Sequence, residues 1–204
     1  MRDRLDTEDL VIFTTRDFAT RCELSLSAAA KRLARLAEKQ QLTKVTKGIW
    51  AKTAHPYFHP LSCVPYLLAK EQGYVSFLTA LHLHGVISQI PKTIQIATTG
   101  RGRILASPIA NFEFFQIKPE LMREGADWSE SKLAYLIAGA EKALVDTLYL
   151  STRKNRRFAR LPELDVTHSV FRQREFMRLI NQLPIPLRIL SAMRSRSPFQ
   201  RKPA

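Results

Sequence analysis

A row of polar and cationic side chains recurs every four residues in the first quarter of the sequence. It consists of Ser27, Lys31 and Arg35, and Arg32 and Lys39 flank it. Because residues four apart lie on the same side of an α-helix, the row predicts a cationic helix face. A helix fits the major groove of DNA, where a guanidinium can bond to two acceptors of guanine. The residue types therefore predict contact with nucleic acid rather than the making or breaking of bonds.

Further candidates precede this helix and follow it. A serine stands before the first helical turn, and two lysines belong to a β-prone stretch after the helix. We expect the helix side chains to contact base edges and adjacent phosphates, with either contact open for each of them, and we expect the two lysines to contact the DNA backbone. The predicted DNA-binding residues are Ser25, Ser27, Lys31, Arg32, Arg35, Lys39, Lys44 and Lys47.

The net charge of the 204 residues is +14, and it is unevenly distributed. Residues 1–53 contain 11 Lys and Arg against 7 Asp and Glu, residues 54–150 contain 8 against 8, and residues 151–204 contain 13 against 3. Between residues 31 and 52 there are seven cations and one acid, Glu38. Such a field attracts polyanions. Most Lys and Arg lie on solvated surfaces, so the coincidence of these charges with a helix-turn-helix pattern is what favours DNA binding.

The elements that would present these side chains are two helices joined by a tight turn. A hydroxyl before the first turn of a helix caps its free N–H groups, so Thr14 or Thr15 predicts a helix that runs to about Arg21. A second helix is predicted from Ser25 or Ser27, because the residues after it repeat at the spacing of one buried face. Those apolar residues are Leu26, Ala29, Ala30, Leu33, Leu36 and Ala37.

A β-hairpin is predicted directly after the second helix. Two β-prone runs within residues 41–51 flank a Lys-Gly turn. Two helices followed by a hairpin constitute a winged helix-turn-helix, and we assign it to residues 1–53. The prolines of residues 54–60 disfavour regular structure, so we place a linker there and expect the units on either side to fold independently.

The rest of the chain predicts a mixed α+β domain over residues 61–190, so the fold class is α+β with an N-terminal winged helix-turn-helix. Gly73 and Gly85 are placed at the ends of its first two helices. Residues 191–204 have many cations and little to bury, which predicts a mobile basic tail. The predicted helices cover residues 62–71, 76–84, 138–150 and 170–183, and the predicted strands cover 93–98 and 111–117.

No metal or cofactor site is predicted. His55, His59 and Cys63 have a spacing that zinc ligands can adopt, but prolines interrupt any helix that would align them. No fourth ligand stands nearby, so we expect packing roles for the three. Cys22 and Cys63 are too few for a disulfide framework, and we expect small buried thiols in a reducing compartment.

Acids and a lysine near position 141 could in principle do acid–base chemistry. Glu141 and Lys142 are adjacent, so they diverge on a helix, and neither Asp146 nor Glu113 completes a pair that would hold a metal ion. We interpret Glu141 and Lys142 as helix N-terminal charges beside a buried run, residues 143–150, that contains Asp146. We predict that the protein is not an enzyme. The turn at 99–103 lacks the Gly-Lys-Ser/Thr ending of a phosphate-binding loop and predicts only a basic turn.

The sequence also predicts a cytoplasmic protein. No stretch approaches the roughly 18 consecutive apolar residues that a membrane span requires. The first ten residues are acidic where a signal peptide would have an apolar run.

Four stretches of the sequence carry a family resemblance. Residues 44–50 read Lys-Val-Thr-Lys-Gly-Ile-Trp, 73–85 read Gly-Tyr-Val-Ser-Phe-Leu-Thr-Ala-Leu-His-Leu-His-Gly, 93–98 read Thr-Ile-Gln-Ile-Ala-Thr, and 141–146 read Glu-Lys-Ala-Leu-Val-Asp. In this order they resemble the AbiEi family of antitoxins and autoregulators from abortive-infection, type IV toxin–antitoxin systems. The resemblance extends from about Phe13 to Tyr149, and the second stretch is its most specific part. Ala140 stands where the family usually has proline.

This resemblance implies a repressor that binds inverted repeats in its own promoter through the winged helix. It also implies that the C-terminal domain counteracts a co-encoded nucleotidyltransferase-like toxin, without necessarily forming a stable complex with it. Three alternatives stay open. The chain could be a stand-alone regulator without a toxin, whose second domain senses a ligand or dimerises. It could be a DNA-processing enzyme, which the lack of clustered carboxylates disfavours, or its basic C-terminal residues could bind RNA.

Overall fold

A computed structural model describes residues 10–153, 158, 160–166 and 170–197. Within these residues the chain is a mixed α+β protein with seven α-helices and two β-sheets. The elements in chain order are β1 (Ile12–Thr14), α1 (Thr15–Arg21), α2 (Leu26–Glu38), β2 (Thr43–Thr46), β3 (Ile49–Ala51), a 3-10 helix (Pro60–Cys63), α3 (Val64–Leu68), β4 (Gly73–Val75), α4 (Phe77–Leu83), β5 (Ile94–Thr98), β6 (Arg103–Ala106), β7 (Asn111–Gln116), a second 3-10 helix (Pro119–Leu121), β8 (Ala126–Trp128), β9 (Leu136–Ala138), α5 (Ala140–Ser151), α6 (Gln173–Asn181) and α7 (Leu187–Arg196).

The first five elements form a unit in which two helices cover one side of a three-stranded antiparallel sheet. The strand order is β1-β3-β2. Thr14 caps α1 reciprocally, because its hydroxyl accepts from the Asp17 N–H while the Asp17 carboxylate accepts from the Thr14 N–H. Gly48, with φ at +80°, makes the turn between β2 and β3. Both predicted helices and the predicted hairpin are present, and β1 is an additional strand.

The second sheet has six strands in the order β6-β7-β5-β4-β9-β8. Two pairs, β5 with β7 and β4 with β9, are parallel, and the other pairs are antiparallel. Tyr74, Ala97 and Phe115 on one face pack in a cluster with α4, α5, α6 and α7. Helix α5 is central to that cluster, since all twelve of its residues are buried.

The three-stranded sheet is buried on both faces. Phe13 and Trp50 pack with α1 and α2, whereas Ile12 and Ile49 belong to a different hydrophobic cluster, which we call the inter-sheet cluster. This cluster also contains Phe112 from the six-stranded sheet. Because neighbouring strand residues point to opposite faces, one sheet contributes to both cores.

The inter-sheet cluster changes what the predicted linker means. Residues 54–60 separate two sheets along the chain, but the units on either side of them share one core. The prolines predict that the two units fold independently. If they did, Ile12 and Ile49 on one unit and Phe112 on the other would be exposed to solvent. Residues 54–60 therefore mark a boundary along the sequence, but the units on either side do not have separate hydrophobic cores.

The structure corrects two sequence-based expectations about Gly73 and the C-terminal residues, and it adds strands β6, β8 and β9, which the sequence did not predict. Gly73 begins β4 instead of ending a helix, and the close packing there requires glycine: a Cβ would lie 2.6 Å from both the Ala97 carbonyl oxygen and a Leu68 methyl carbon. Residues 191–196, expected in a mobile tail, are the last six of the ten residues of α7, and Met193 among them is fully buried. The remaining tail residues, 198–204, lie outside the described residues.

Candidate nucleic-acid interface

Helix α2 has one face buried and the other exposed. Its N-cap is Ser25, whose hydroxyl accepts a hydrogen bond of 3.2 Å from the Ala28 N–H. Ala29 and Leu33 are fully buried and pack in the same cluster as Phe18 of α1. This packing determines which side chains of α2 face outward.

The outward face of α2 carries the predicted cationic row. Ser27, Lys31 and Arg35 are exposed, and Arg32 beside them is half-buried. The Arg32 guanidinium carbon lies 5.8 Å from the centroid of the Phe18 ring, within the range of a cation–π contact. Arg32 is therefore positioned by the core of the helix pair, whereas Lys31 and Arg35 extend into solvent.

Four cations of α2 line one cavity of about 450 Å³. None of its described lining residues is acidic, and Leu24, Ala28 and Leu36 supply apolar surface. The cations are Lys31, Arg32, Arg35 and, at the C-cap of the helix, Lys39. Like charges four residues apart repel each other on a helix. A polyanion would relieve that repulsion, so the cavity suits phosphate groups.

The hairpin presents the other two predicted lysines. Lys47 is exposed beside Gly48 at the turn, and the Lys44 ammonium lies 5.8 Å from the centroid of the Trp50 ring. The Trp50 indole N–H donates to the Thr15 hydroxyl at 2.9 Å, which ties the hairpin to the start of α1. Neither lysine lines the cavity of α2. The candidates thus divide into an α2 group and a hairpin group.

The two ends of α2 differ in how well they suit DNA. Ser25 uses its hydroxyl oxygen as a cap acceptor and keeps its proton for a further acceptor. Glu38, exposed in the last turn, would repel a phosphate there. Glu38 therefore opposes the phosphate contacts of its neighbour Lys39, whereas the first turn of α2 contains no acid.

A buried polar network in the second domain was missed by the sequence analysis. Asp146 accepts hydrogen bonds from the Tyr74 hydroxyl at 3.0 Å and from the Ser76 hydroxyl at 2.8 Å. Its other oxygen accepts from the Lys142 ammonium, one turn earlier on α5. All four residues are at most 3% exposed. Each charge in this network is compensated, which burial requires.

Lys142 lies in the first turn of α5, as predicted, but it is buried together with the run that contains Asp146. The signal that could have located the pair is a Lys and an Asp four residues apart in an otherwise apolar helix. Burial, together with the charge and the hydrogen bond of Asp146, raises the pKa of the Tyr74 phenol well above its usual value. The phenol therefore remains a hydrogen-bond donor across the physiological pH range.

Glu141 lies in the first turn of α5, as predicted, and it is buried as well. It accepts hydrogen bonds from the backbone N–H of Arg172 at 2.6 Å and from the Arg172 Nε at 3.3 Å. Arg172 is the N-cap of α6, so this carboxylate ties α6 to α5. In a similar way the His84 ring lies 2.8 Å from the Ala138 carbonyl oxygen and joins the end of α4 to β9.

The glycine-containing turn at 99–103 is engaged within the protein. The Arg103 guanidinium donates to a carboxylate oxygen of Glu71 at 2.8 Å and lies 3.9 Å from the centroid of the Phe114 ring. Arg101 is exposed. Only one arginine of the predicted basic turn is therefore presented to a ligand.

The histidines of the predicted linker act in local turns. The His59 Nδ1 accepts from the Leu61 N–H, and the His55 Nδ1 accepts from the Tyr57 N–H, each at 3.2 Å. Burial raises the pKa of the Cys63 thiol to about 12. Among the described residues, no three His, Cys, Asp or Glu side chains converge as metal ligands would.

Comparison with known proteins does not assign the chain. No family model matches it, and no curated protein matches it at a significant level. In the described part of the chain, no helix has both the length and the apolar character that crossing a bilayer demands. The function must therefore be argued from the cationic face of α2 and from the buried network.

Proposed function

We propose that the protein is a DNA-binding transcriptional regulator whose N-terminal unit acts as a winged helix-turn-helix. The observation that carries this proposal is the cavity on α2, where four cations converge and none of the described lining residues is acidic. Helices α1 and α2 serve as the helix-turn-helix, and the β2–β3 hairpin serves as the wing. In this arrangement α2 enters the major groove, and Lys44 and Lys47 contact the DNA backbone.

The cations of α2 divide between bases and phosphates. Lys31 and Arg35 are exposed on the same row as Ser27, so they reach the groove floor and its rim. Arg32 is held against Phe18, and Lys39 lies at the end of the helix, so both suit phosphates at the edge of the groove. Phosphate contacts orient the protein, whereas base contacts select the sequence.

We also propose that the chain is an AbiEi-type autorepressor and antitoxin in the cytoplasm, without enzymatic activity. It would bind inverted repeats in its own promoter and counteract a co-encoded nucleotidyltransferase-like toxin. The support is that two stretches of the resemblance, 73–85 and 141–146, meet in space, because Tyr74 and Ser76 bond to Asp146. A resemblance carried by residues that contact each other in the fold is more informative than one carried by scattered positions.

An electrophoretic mobility-shift titration on the DNA upstream of its gene tests the first proposal. Replacing Lys31 and Arg35 together with Ala should weaken operator binding at least tenfold, since each base contact contributes about 1–3 kcal/mol. The matched control replaces Lys70 and Lys92, two exposed cations of the second domain, and should bind like the wild type. Equal affinity of the two double variants would contradict the assignment of α2.

Co-expression tests the second proposal. The full chain should restore growth in cells that express the neighbouring nucleotidyltransferase-like gene, and the Lys31 and Arg35 double variant should restore growth while failing to repress the promoter. If the wild-type chain represses its promoter but gives no protection, the stand-alone regulator is the correct function.

A further inference from the structure

A second cavity, of about 580 Å³, opens in the α+β domain far along the chain from α2. Leu68, Met122 and Leu136 supply an apolar lining, and Trp128 of β8 and Arg123 also contribute to its walls. The volume falls within the roughly 300–1,000 Å³ of small-molecule sites. Its composition, mostly apolar with few polar groups, is also typical of such sites.

Two side chains in this cavity have no partner within the described structure. The Arg123 guanidinium is exposed and makes no ion pair or hydrogen bond with any described residue. Trp128 is 64% exposed, and its indole makes no ring contact or hydrogen bond with a described residue. An exposed tryptophan and an arginine without a described partner, beside apolar surface, leave both side chains available to contact a ligand.

The cavity has a net positive charge once the ion pairs of its lining residues are counted. Glu71 also lines it, but its carboxylate is compensated, because Arg103 donates to it at 2.8 Å and Thr98 at 3.0 Å. Arg123 is therefore the one uncompensated charge among the described lining residues. The site suits an anion.

The backbone of the cavity wall is held in an unfavourable conformation. Ala69, between α3 and β4, has φ +53° and ψ −101°, where a residue with a Cβ is strained. Gly73 next to it permits Leu68 to approach β4 more closely than any Cβ would allow. Strained residues of this kind concentrate at ligand sites, where the surrounding packing maintains them.

We propose that this cavity binds a small aromatic anion of the size of a mononucleotide. The aromatic ring stacks on the Trp128 indole, and the Arg123 guanidinium pairs with the anionic group. The Gln72 amide at the rim supplies a donor and an acceptor for the polar edge of the ring. This site shares no lining residue with the cavity of the proposed DNA interface. Ligand binding to it can therefore be measured in the absence of DNA.

Isothermal titration calorimetry of the full chain with AMP, adenosine and inorganic phosphate tests the proposal. AMP should give a saturable signal, and adenosine and phosphate should each bind at least tenfold more weakly, because each lacks one of the two contacts. Arg123→Ala and Trp128→Ala should each lower the affinity for AMP at least tenfold. The matched control Arg188→Ala removes an exposed arginine from α7 and should leave the affinity unchanged.

Three results would overturn the proposal. The first is the absence of saturable binding for all four ribonucleoside monophosphates up to about 5 mM, a concentration that would detect millimolar affinity. The second is affinity that stays unchanged in both variants of the cavity, with circular dichroism showing that each is folded. The third is phosphate binding as tightly as AMP, which would exclude the aromatic contact.

Discussion

The Tyr74 hydroxyl lies 3.0 Å from a carboxylate oxygen of Asp146, although 72 positions separate the two residues in the sequence. This bond joins β4 to the central helix α5 in the interior of the second domain. Ser76 and Lys142 bond to the same carboxylate, so one buried acid organises two distant stretches of chain. A fully satisfied network of this kind specifies one packing arrangement, because any other would leave a charge without a partner.

Removal of one member of the buried pair should destabilise the protein strongly. Asp146→Asn leaves the Lys142 ammonium without a counter-charge, and we expect the free energy of unfolding to fall by about 3–5 kcal/mol. Urea denaturation measures it. The control Asp127→Asn changes an exposed acid and should cost less than about 0.5 kcal/mol. A similar small effect for Asp146→Asn would show that the network does not contribute to stability.

The double variant Lys142→Met, Asp146→Leu should be more stable than Asp146→Asn. Replacing both charges with apolar groups leaves neither one uncompensated. The Tyr74 and Ser76 hydroxyls would be without their acceptor, so we expect the double variant to remain less stable than the wild type. A double variant less stable than Asp146→Asn would contradict this account.

Stability should fall in alkali through Tyr74. Its folded pKa is raised above the unfolded value of about 10, so the folded state retains a proton that the unfolded state releases. The stabilisation is complete below pH 10 and decreases as pH rises above it, by at most about 1.4 kcal/mol per pH unit. The Tyr74→Phe variant should lack this pH-dependent part of the stability. Urea denaturation of both proteins at several pH values between about 9 and 11 measures the difference, and parallel curves would exclude it.

The two thiols should differ in reactivity. Cys63 is fully buried and its pKa is raised to about 12, so almost none of it is thiolate near neutral pH. Cys22 is half-buried in the N-terminal unit. Iodoacetamide treatment of the native protein should add one alkyl group, at Cys22, and treatment in denaturant should add two, as intact mass will show. Modification of Cys63 in the native protein would indicate that the inter-sheet cluster opens readily.

The two units should unfold together. Trp128→Phe removes an exposed indole and leaves Trp50 as the fluorescent reporter of the three-stranded sheet. Far-UV circular dichroism of the same variant follows mainly the helices of the second domain. Because Ile12 and Ile49 share a cluster with Phe112, the two signals should have the same urea midpoint. Separate midpoints would restore the independent folding that the prolines predict.

Deletion of residues 198–204 should reduce non-specific DNA affinity without altering operator preference. The cut leaves α7 and its buried Met193 intact and removes Arg201 and Lys202. Each phosphate that a cation neutralises contributes about 0.9 to the slope of log affinity against log salt, so removing two cations should reduce the slope by up to about 1.8. Mobility shifts at several salt concentrations measure it. Failure of the shortened protein to discriminate between operator and random DNA would show that these residues read sequence.

Local signals made the N-terminal unit predictable. Thr14 and Ser25 act as helix caps in the structure as their sequence context predicts, and Gly48 makes the expected turn. Each of these depends on neighbours within a few positions. The direction in which Lys31 and Arg35 point followed from the same short-range pattern.

Long-range pairing made the second domain harder to predict. Strands β4 and β9 have three residues each and depend on partners elsewhere in the chain, so neither has an internal pattern long enough to recognise. The burial of Lys142 depends on Tyr74 and Asp146 together. A residue's charge shows that it needs a partner, but the fold alone supplies that partner.

The burial of the three-stranded sheet on both faces has a consequence for synthesis on the ribosome. Ile12 and Ile49 are translated roughly 60 residues or more before Phe112, an interval of at least about 3–12 s at common elongation rates. Leu61, Val64 and Leu67 of the same cluster are made soon after Ile49, but Phe112 and Phe114 are not, so part of this face of the nascent sheet stays available to chaperones and to other nascent chains. Codons that slow translation between residues 52 and 112 should therefore lower the soluble yield without changing a single amino acid.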